Sequence, residues 1–354
     1  MPITPSQAKE RLDSIIKKAR VDLYKPIQVA EVLRRSRLEK DIEILSVETY
    51  RNPSCSWRNV VTQRLLSKIP TSSARYQHDI WNDSAMPPKI LAALDAENKR
   101  TKGGVERYIY LRFQERQGTV EGLIGVINKA DPKTFQLQAL LNLFISSAGI
   151  RRSIDKAYEI VTHSLFQTIV TSLRTTVTVS VPPQSLALLR EFEDLTRVLL
   201  GVDASKPESK MDAHVFRVGV TNAADRGLDM WANFGPAVQV KHLTLNEELA
   251  TTIIDQVESD HIVIVCRDSD AKVIETVAKQ IGWGRRVRGI VRESELIAWY
   301  ERCLRGKFAN QLAKPLLQHL AEGFKLEFPQ TSGVSSFIVE RGYDTLKADP
   351  FWTL

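Results

Sequence analysis

A predicted β-hairpin in the second half of the chain is the feature that most restricts the fold. The turn-forming sequence Asn-Phe-Gly-Pro, which contains Phe234, separates two short apolar stretches at residues 228–232 and 237–243. Such stretches on either side of a turn are typical of paired antiparallel strands. A ladder centred near Phe234 places Asp229 directly opposite Gln239, so the register of the hairpin decides which side chains can meet.

The same register predicts that three polar side chains share one face. Because side chains alternate along a strand, Gln239 and Lys241 project to one side, whereas Val238 and Val240 project towards a core. Asp229 joins the polar side. A carboxylate, an amide oxygen and an ammonium group are therefore expected to converge.

This set of groups suits the hydrolysis of a phosphodiester. The carboxylate of Asp229, the amide oxygen of Gln239 and the backbone carbonyl of Val240 can hold a hard divalent cation such as Mg²⁺, which polarises a phosphate and activates water. The ammonium of Lys241 can orient the attacking water or offset charge on the phosphoryl oxygens. The same residues also fit a surface hairpin whose Asp and Lys are only solvated, so the flanking sequence has to decide.

The sequence on both sides of the hairpin predicts an α/β fold. Residues 185–200 carry apolar side chains at helical spacing, and residues 214–220 alternate at period two. The pattern after the hairpin predicts a helix to about Val257, a strand at 261–266, a helix over 270–281 and a strand at 287–291. The resulting order of elements requires a parallel crossover between the hairpin strand and the strand at 261–266.

The order of elements and the spacing Asp229…Gln239-x-Lys241 resemble the PD-(D/E)XK nuclease core. More narrowly, the whole chain resembles the HaeII family of type II restriction endonucleases, and residues 19–31, 71–76 and 222–245 carry that resemblance. The resemblance implies cleavage of double-stranded DNA at a short palindrome, with GCGC as its suggested centre, by a homodimer that uses Mg²⁺. It also implies a cognate DNA methyltransferase as a functional partner.

One position departs from the pattern of the wider superfamily, in which Asp or Glu precedes x-Lys. The residue here is Gln239, whose neutral amide can ligate Mg²⁺ but adds no negative charge. A second acid would compensate, and Glu191 is the candidate, because its helical spacing from Leu188 and Leu195 places it near the face expected to pack on the sheet. Asp225, shortly before the hairpin, is another candidate, although a role in a local turn explains it as well.

The net charge of +7 and the pI near 9.2 favour a nucleic-acid partner. Residues 1–120 contain 22 Lys and Arg against 14 Asp and Glu, a balance of +8, whereas the remainder balances at −1. Basic side chains bind phosphates with release of counterions, and arginine can read guanine edges, although charged helix faces are usually only solvated. The predicted DNA contacts are Arg20, Lys25, Arg34, Arg35, Arg37, Ser72, Ser73, Arg75, Arg285 and Arg286.

The patterns divide the chain into four units. Residues 1–120 are predicted to form a basic, mainly helical DNA-recognition domain that begins with helices at 6–20 and 28–37. The remaining units are a helical connector at 121–180, a nuclease core at 181–305 with a mixed sheet flanked by helices, and a C-terminal helix with an irregular tail at 306–354.

The cysteine content and the absence of targeting signals favour a cytoplasmic protein without a membrane partner. The three cysteines lack metal-ligand spacing, and no apolar stretch is long enough to span a bilayer. A competing interpretation is a non-catalytic DNA-binding regulator, or an inactive partner subunit, whose hairpin is only structural. A DNA methyltransferase, suggested by Asp-Pro-Phe-Trp at 349–352, is disfavoured because no glycine-rich strand-to-helix turn is present for its cofactor.

Overall fold

The computed structural model describes residues 3–67, 69, 80–147, 149–218, 228–257, 259–269, 273, 286–328 and 333–354. A helical N-terminal region leads into a five-stranded sheet that has helices on both faces. The predicted helix over 270–281 lies outside the described residues except for Val273. None of the described helices is both long enough and apolar enough to cross a membrane.

The N-terminal region is built from helices, as predicted. Their bounds are α1 (Pro5–Lys18), α2 (Tyr24–Leu38), α3 (Pro53–Leu66), α4 (Pro88–Arg100) and α5 (Gly104–Asn128). The side chain of Thr4 accepts a hydrogen bond from the backbone N–H of Gln7, and the side chain of Gln7 accepts one from the backbone of Thr4. This capping box satisfies backbone donors at the start of α1, which begins with a proline that needs no donor partner.

Two further helices continue the predicted helical connector. They are α6 (Leu137–Ser146) and α7 (Ile154–Ser172). The buried side of α7 includes Ala157, Ile160, Val161 and Leu165, and this helix contacts the central strand and one edge strand of the main sheet. An apolar helix stripe of this width is expected to face a core.

A separate two-stranded sheet is inserted after α7. Strand β1 (Thr176–Ser180) pairs antiparallel with β2 (Glu208–Asp212), and the short helices α8 (Leu186–Glu191) and α9 (Glu193–Leu199) lie between them. The single helix predicted over residues 185–200 is therefore wrong, because the chain breaks at Phe192. The side chains expected to pack on the sheet are exposed, since α7 occupies that position; they are Leu188, Phe192, Leu195 and Leu199.

The main sheet has the order β3-β4-β5-β6-β7. Its strands are β3 (Val215–Arg217), β4 (Met230–Ala232), β5 (Ala237–Leu245), β6 (Ile262–Ser269) and β7 (Val287–Arg292). Strands β3, β4 and β5 are antiparallel neighbours, whereas β5, β6 and β7 run parallel. Helix α10 (Glu247–Gln256) makes the crossover from β5 to β6. The predicted α/β class, mixed sheet and parallel crossover are confirmed.

The two faces of the sheet belong to different hydrophobic cores. One core joins Val238 and Val240 to α5, α6 and α7, and also to α11 (Glu293–Arg305) and α12 (Ala309–Glu327). The other core places Ala237 and Ile264 against α10. Each face is therefore covered, as parallel strands in a sheet require.

The C-terminal residues are divided between two parts of the molecule. Helix α12 packs in the core beneath the sheet, whereas α13 (Val334–Glu340) and the 3₁₀ helix Pro350–Trp352 pack in the core of the N-terminal helices. Trp352, for example, is 1% exposed. The unit predicted at 306–354 is thus not one structural body, and its tail is ordered by contacts with the beginning of the chain.

A fully buried carboxylate holds this N-terminal core together. Glu106 on α5 accepts hydrogen bonds from the Arg37 guanidinium (2.9 Å), the Asn98 amide (2.6 Å) and the Tyr343 hydroxyl (2.6 Å). These partners come from α2, α4 and the segment after α13. Because all the partners are polar or cationic, the buried charge is compensated, as buried charges must be.

We predict that Glu106→Ala lowers the free energy of unfolding by about 3–5 kcal/mol, because it leaves Arg37 without its buried partner. Urea unfolding measures this loss. Glu115→Ala is the matched control on the same helix, where Glu115 forms an exposed ion pair with Arg112, and its loss should stay below about 1 kcal/mol. Equal losses in the two variants would contradict the structural role of Glu106.

Candidate active site

The hairpin forms with the predicted register. Trp231 pairs with Ala237 across β4 and β5, and the backbone N–H of Asp229 donates to the carbonyl of Val238 at 3.3 Å. Val238 is also the partner of Met230, so Asp229 lies beside the Met230–Val238 pair at the end of the β4–β5 ladder.

The turn of the hairpin is held by hydrogen bonds to neighbouring strands. The Asn233 amide donates to the Asp212 carbonyl at 2.8 Å, and its oxygen accepts from the His214 N–H at 2.8 Å. Gly235 has a φ of 114°, a conformation that side chains with a Cβ rarely adopt. The sequence of the turn thus determines where the two strands meet.

Asp229 is anchored to the strand that it faces. Its carboxylate accepts a hydrogen bond from the backbone N–H of Val240 at 2.7 Å. Burial raises the pKa of the Asp229 carboxyl above its usual value, while the hydrogen bond from Val240 and the charges of Lys241 and Lys156 act in the opposite direction. The net result is an acid that binds a proton more readily than an exposed aspartate does.

Gln239 presents an oxygen without a partner. The residue is 2% exposed, and its side-chain oxygen is buried with no hydrogen-bond donor among the described residues. A buried polar atom of this kind carries a free-energy cost unless a ligand, ion or water satisfies it. Gln239 therefore offers a ready acceptor on the face of β5 that it shares with Lys241.

A second acid reaches the site from α7. Glu159 is buried, and its side chain pairs with the ammonium of Lys156 at 2.7 Å. Burial raises the pKa of the Glu159 carboxyl to about 7, the charge of Lys156 lowers it, and the negative charge of Asp229 raises it further. A glutamate with this pKa close to a second buried acid is typical of functional sites.

The N-terminal turn of α7 also contacts the end of β5. Asp155 forms a hydrogen bond with the His242 ring, on the residue directly after Lys241. The first turns of α7 thus bring Asp155, Lys156 and Glu159 towards the strand that carries Gln239.

The sequence around Glu159 contains a signal that points to a functional role. Glu159 lies within an apolar helical stretch, between the buried residues Tyr158 and Ile160. A charged residue on the buried side of an amphipathic helix calls for a partner or a function. The sequence patterns predict only a structural role for the connector and therefore do not identify this residue.

The predicted position of Glu191 is wrong. Glu191 ends the short helix α8 and is exposed, and the main contacts of α8 are with its sequence neighbours rather than with the main sheet. Its expected place near the sheet depended on a continuous helix over residues 185–200, which does not form. Asp225, the other proposed helper, lies outside the described residues.

Several predicted DNA contacts are engaged within the protein. Arg37 is held by the buried Glu106, and Arg35 pairs with Asp41 (2.5 Å) and lies over the Trp57 ring. The Arg286 guanidinium donates to the backbone carbonyls of Val257 and Ser259. Arg35, Arg37 and Arg286 thus make contacts within the protein, and their binding of phosphates stays a prediction.

Other predicted contacts remain accessible or lie outside the described residues. Arg20 is exposed, and Arg34 and Lys25 are half-buried. Burial lowers the pKa of the Lys25 ammonium. Ser72, Ser73, Arg75 and Arg285 lie outside the described residues.

Comparison with known proteins relates nearly the whole chain to one family. A family model described as HaeII restriction endonuclease matches residues 8–343. A protein from Haemophilus aegyptius, described as type II restriction enzyme HaeII, is 48% identical over 339 residues, which cover 95% of this chain and 96% of that protein. Type II restriction enzyme NgoBI from Neisseria gonorrhoeae is 44% identical over 347 residues, which cover 97% of this chain and 98% of that protein. No solved structure matches the chain.

The raised pKa of Glu159 predicts a pH-dependent stability. The folded-state pKa of about 7 lies above the ordinary value of 4.5, so the folded state binds the extra proton between these values and stability falls as the pH rises through them. In the Glu159→Gln variant, the amide at position 159 does not titrate in this range. Relative to this variant, the wild type should lose up to about 3 kcal/mol of unfolding free energy between pH 4.5 and pH 8. Urea unfolding across this range measures the difference, and parallel profiles would contradict the prediction.

Proposed function

This chain belongs to the HaeII restriction endonuclease family and is a type II site-specific deoxyribonuclease, and from this basis we propose that it hydrolyses both strands of DNA at a short palindrome with Mg²⁺ as its cofactor. The observation that carries the proposal is the hydrogen bond that ties the Asp229 carboxylate to the strand of Gln239 and Lys241, where Asp229 also interacts electrostatically with Lys241 and Glu159. We propose GCGC as the centre of the palindrome, and mapping the fragment ends from one sequenced plasmid measures both the site and the cut position.

The cation would be held by oxygen atoms from the hairpin. Among the described residues, no group of three or more His, Cys, Asp or Glu side chains forms a metal cluster, so amide and carbonyl oxygens have to contribute. The Asp229 carboxylate, the unpartnered Gln239 oxygen and the backbone carbonyl of Val240 are donors of the kind that Mg²⁺ prefers. When bound there, Mg²⁺ supplies a Lewis acid at the scissile phosphate.

Glu159 supplies a second carboxylate close to Asp229. Its raised pKa shows that its charged form is poorly stabilised in the protein alone. Positive charge brought into the site would favour the ionised forms of both Glu159 and Asp229. The pair of acids therefore supplies the negative charge that the variant motif, with a neutral amide, would otherwise miss.

Lys241 acts on the reacting groups. Its side chain is on the same face of β5 as Gln239, is half-buried, and carries a charge that lowers the pKa of Asp229. A donor held in place before the reaction can orient the attacking water and stabilise charge on the phosphoryl oxygens. Lys156 remains paired with Glu159 and balances its charge when that carboxyl ionises.

Cleavage of a palindrome on both strands calls for two such sites. The described chain presents one hairpin site, so we propose a two-fold symmetric homodimer on the DNA. The accessible basic residues Arg20 and Arg34 are proposed to contact phosphates from the N-terminal helices. A cognate DNA methyltransferase would protect the host sequence.

A regulator without catalysis would leave the buried Gln239 oxygen and the raised pKa values of Asp229 and Glu159 without a purpose.

Lys241→Ala should abolish cleavage while DNA binding is retained. Loss of one preorganised donor should lower the cleavage rate by at least about 100-fold. Incubation of unmethylated plasmid with Mg²⁺ measures cleavage, and a gel-shift assay with Ca²⁺ measures binding. Discrete fragments from the wild type alone are expected. If the variant cuts at the wild-type rate, or if the wild type leaves plasmids of many sequences intact, the proposed site is refuted.

Substitutions of two glutamates distinguish the site in the structure, which contains Glu159, from the site predicted by helical periodicity, which contains Glu191. Glu159→Gln should lower the cleavage rate by at least about 100-fold, because it removes a buried charge from the site. Glu191→Gln is the matched control, and it should cut like the wild type since its carboxylate is exposed on α8. Thermal unfolding checks that both variants fold. If Glu191→Gln loses cleavage activity and Glu159→Gln retains it, the second carboxylate of the site is Glu191 and not Glu159.

A further inference from the structure

The inserted segment at residues 176–212 leaves its apolar side chains in solvent. This segment, here called the arm, comprises β1, α8, α9 and β2. Within it Val198 is 88% exposed and Leu199 is 71% exposed, and Leu188, Phe192 and Leu195 are exposed as well. Together these residues present apolar area on the order of several hundred Å², which on a soluble protein usually marks an interaction site.

A second unoccupied apolar surface lies at the base of the arm. A cavity of about 620 Å³, here called the groove, is enclosed by α7, the main sheet, α11 and α12. Its walls include Phe166, Ile169, Val215 and Leu312, and the arm leaves the fold just after α7 and returns at Val215. The groove opens on the face of the sheet opposite to Gln239, since it is lined by Val238.

The charges of the two surfaces are complementary. The arm contains 4 Lys and Arg against 6 Asp and Glu, a balance of −2, which disfavours DNA as its partner. Three of its acids, Glu191, Glu193 and Asp194, flank Phe192 between the two short helices. The groove carries the cationic side chains of Arg302 and Lys307.

We propose that the arm of one copy docks its apolar helices into the groove of a second copy, in a reciprocal and two-fold symmetric exchange. The inference rests on the proposed homodimer and names its interface. The arm does not fill its own groove, because its apolar side chains are exposed in this chain. A self-complementary contact made twice can reach the area of a stable interface, about 800 Å² from each partner.

Sedimentation equilibrium without DNA or Mg²⁺ tests the interface. The wild type should have twice the 40.0 kDa mass of one chain. Val198→Asp places a charge in the proposed contact and should raise the dimer dissociation constant more than about tenfold. Val60→Asp is the matched control, because Val60 is also exposed, at 71%, but lies on α3. A Val198→Asp variant that dimerises as tightly as the wild type would overturn the proposal.

Mixing two defective variants tests whether the exchange is reciprocal. Arg302→Glu with Lys307→Glu should weaken the dimer by charge repulsion with the acidic arm. A mixture of this double variant with Val198→Asp should form heterodimers. In such a pair the intact arm of the double variant contacts the intact groove of the Val198→Asp chain. Failure of the mixture to associate overturns the reciprocal exchange. If the wild type stays monomeric and binds an apolar dye, the groove is a site for a small ligand. This result would also overturn the proposed exchange.

The mass measurement is independent of catalysis. Lys241→Ala should remain dimeric while losing cleavage, so failure of the interface and failure of the proposed active site give different results. A wild-type protein that dimerises but does not cut would refute only the active site, and a wild-type monomer that cuts would refute only the interface.

Discussion

The hydrogen bond from the Val240 N–H to the Asp229 carboxylate is the interaction on which the site depends. It ties the acid to the strand that carries Gln239 and Lys241, so the geometry of the site follows from the register of the hairpin. A slip of one residue would turn Val240 to the polar face and Gln239 into the core beneath α7. The hydrogen bonds of Asn233 to neighbouring segments oppose such a slip.

The electrostatics of a buried site explain why an amide can stand at position 239. Asp229 and Glu159 both have raised pKa values, caused first by burial. A third acid in place of Gln239, which is 2% exposed, would add another desolvation cost and further repulsion. Lys156 and Lys241 offset part of the charge already present. Functional sites commonly retain groups that lower stability, because the chemistry needs them.

Sequence patterns located the hairpin but not the helix beside it. Residues 185–200 and α7 both show apolar side chains at helical spacing, and such periodicity cannot tell which of two helices reaches a sheet. Choosing the first led to Glu191, whereas the packing of α7 brings Glu159 into the site. The rejected helix is exposed within the arm, where its unburied apolar side is the basis of the proposed contact with a second copy.

The sequence by itself determined the features that depend on neighbouring residues: the turn at Gly235, the antiparallel pairing, the alternation along β5 and the α/β order of elements. Only the tertiary structure decided which distant groups meet. Arg37 bonds to Glu106, 69 positions away, instead of remaining free for DNA, and Tyr343 reaches the same carboxylate from 237 positions away. Such contacts gain their free energy from burial and charge compensation across the chain, which no local pattern records.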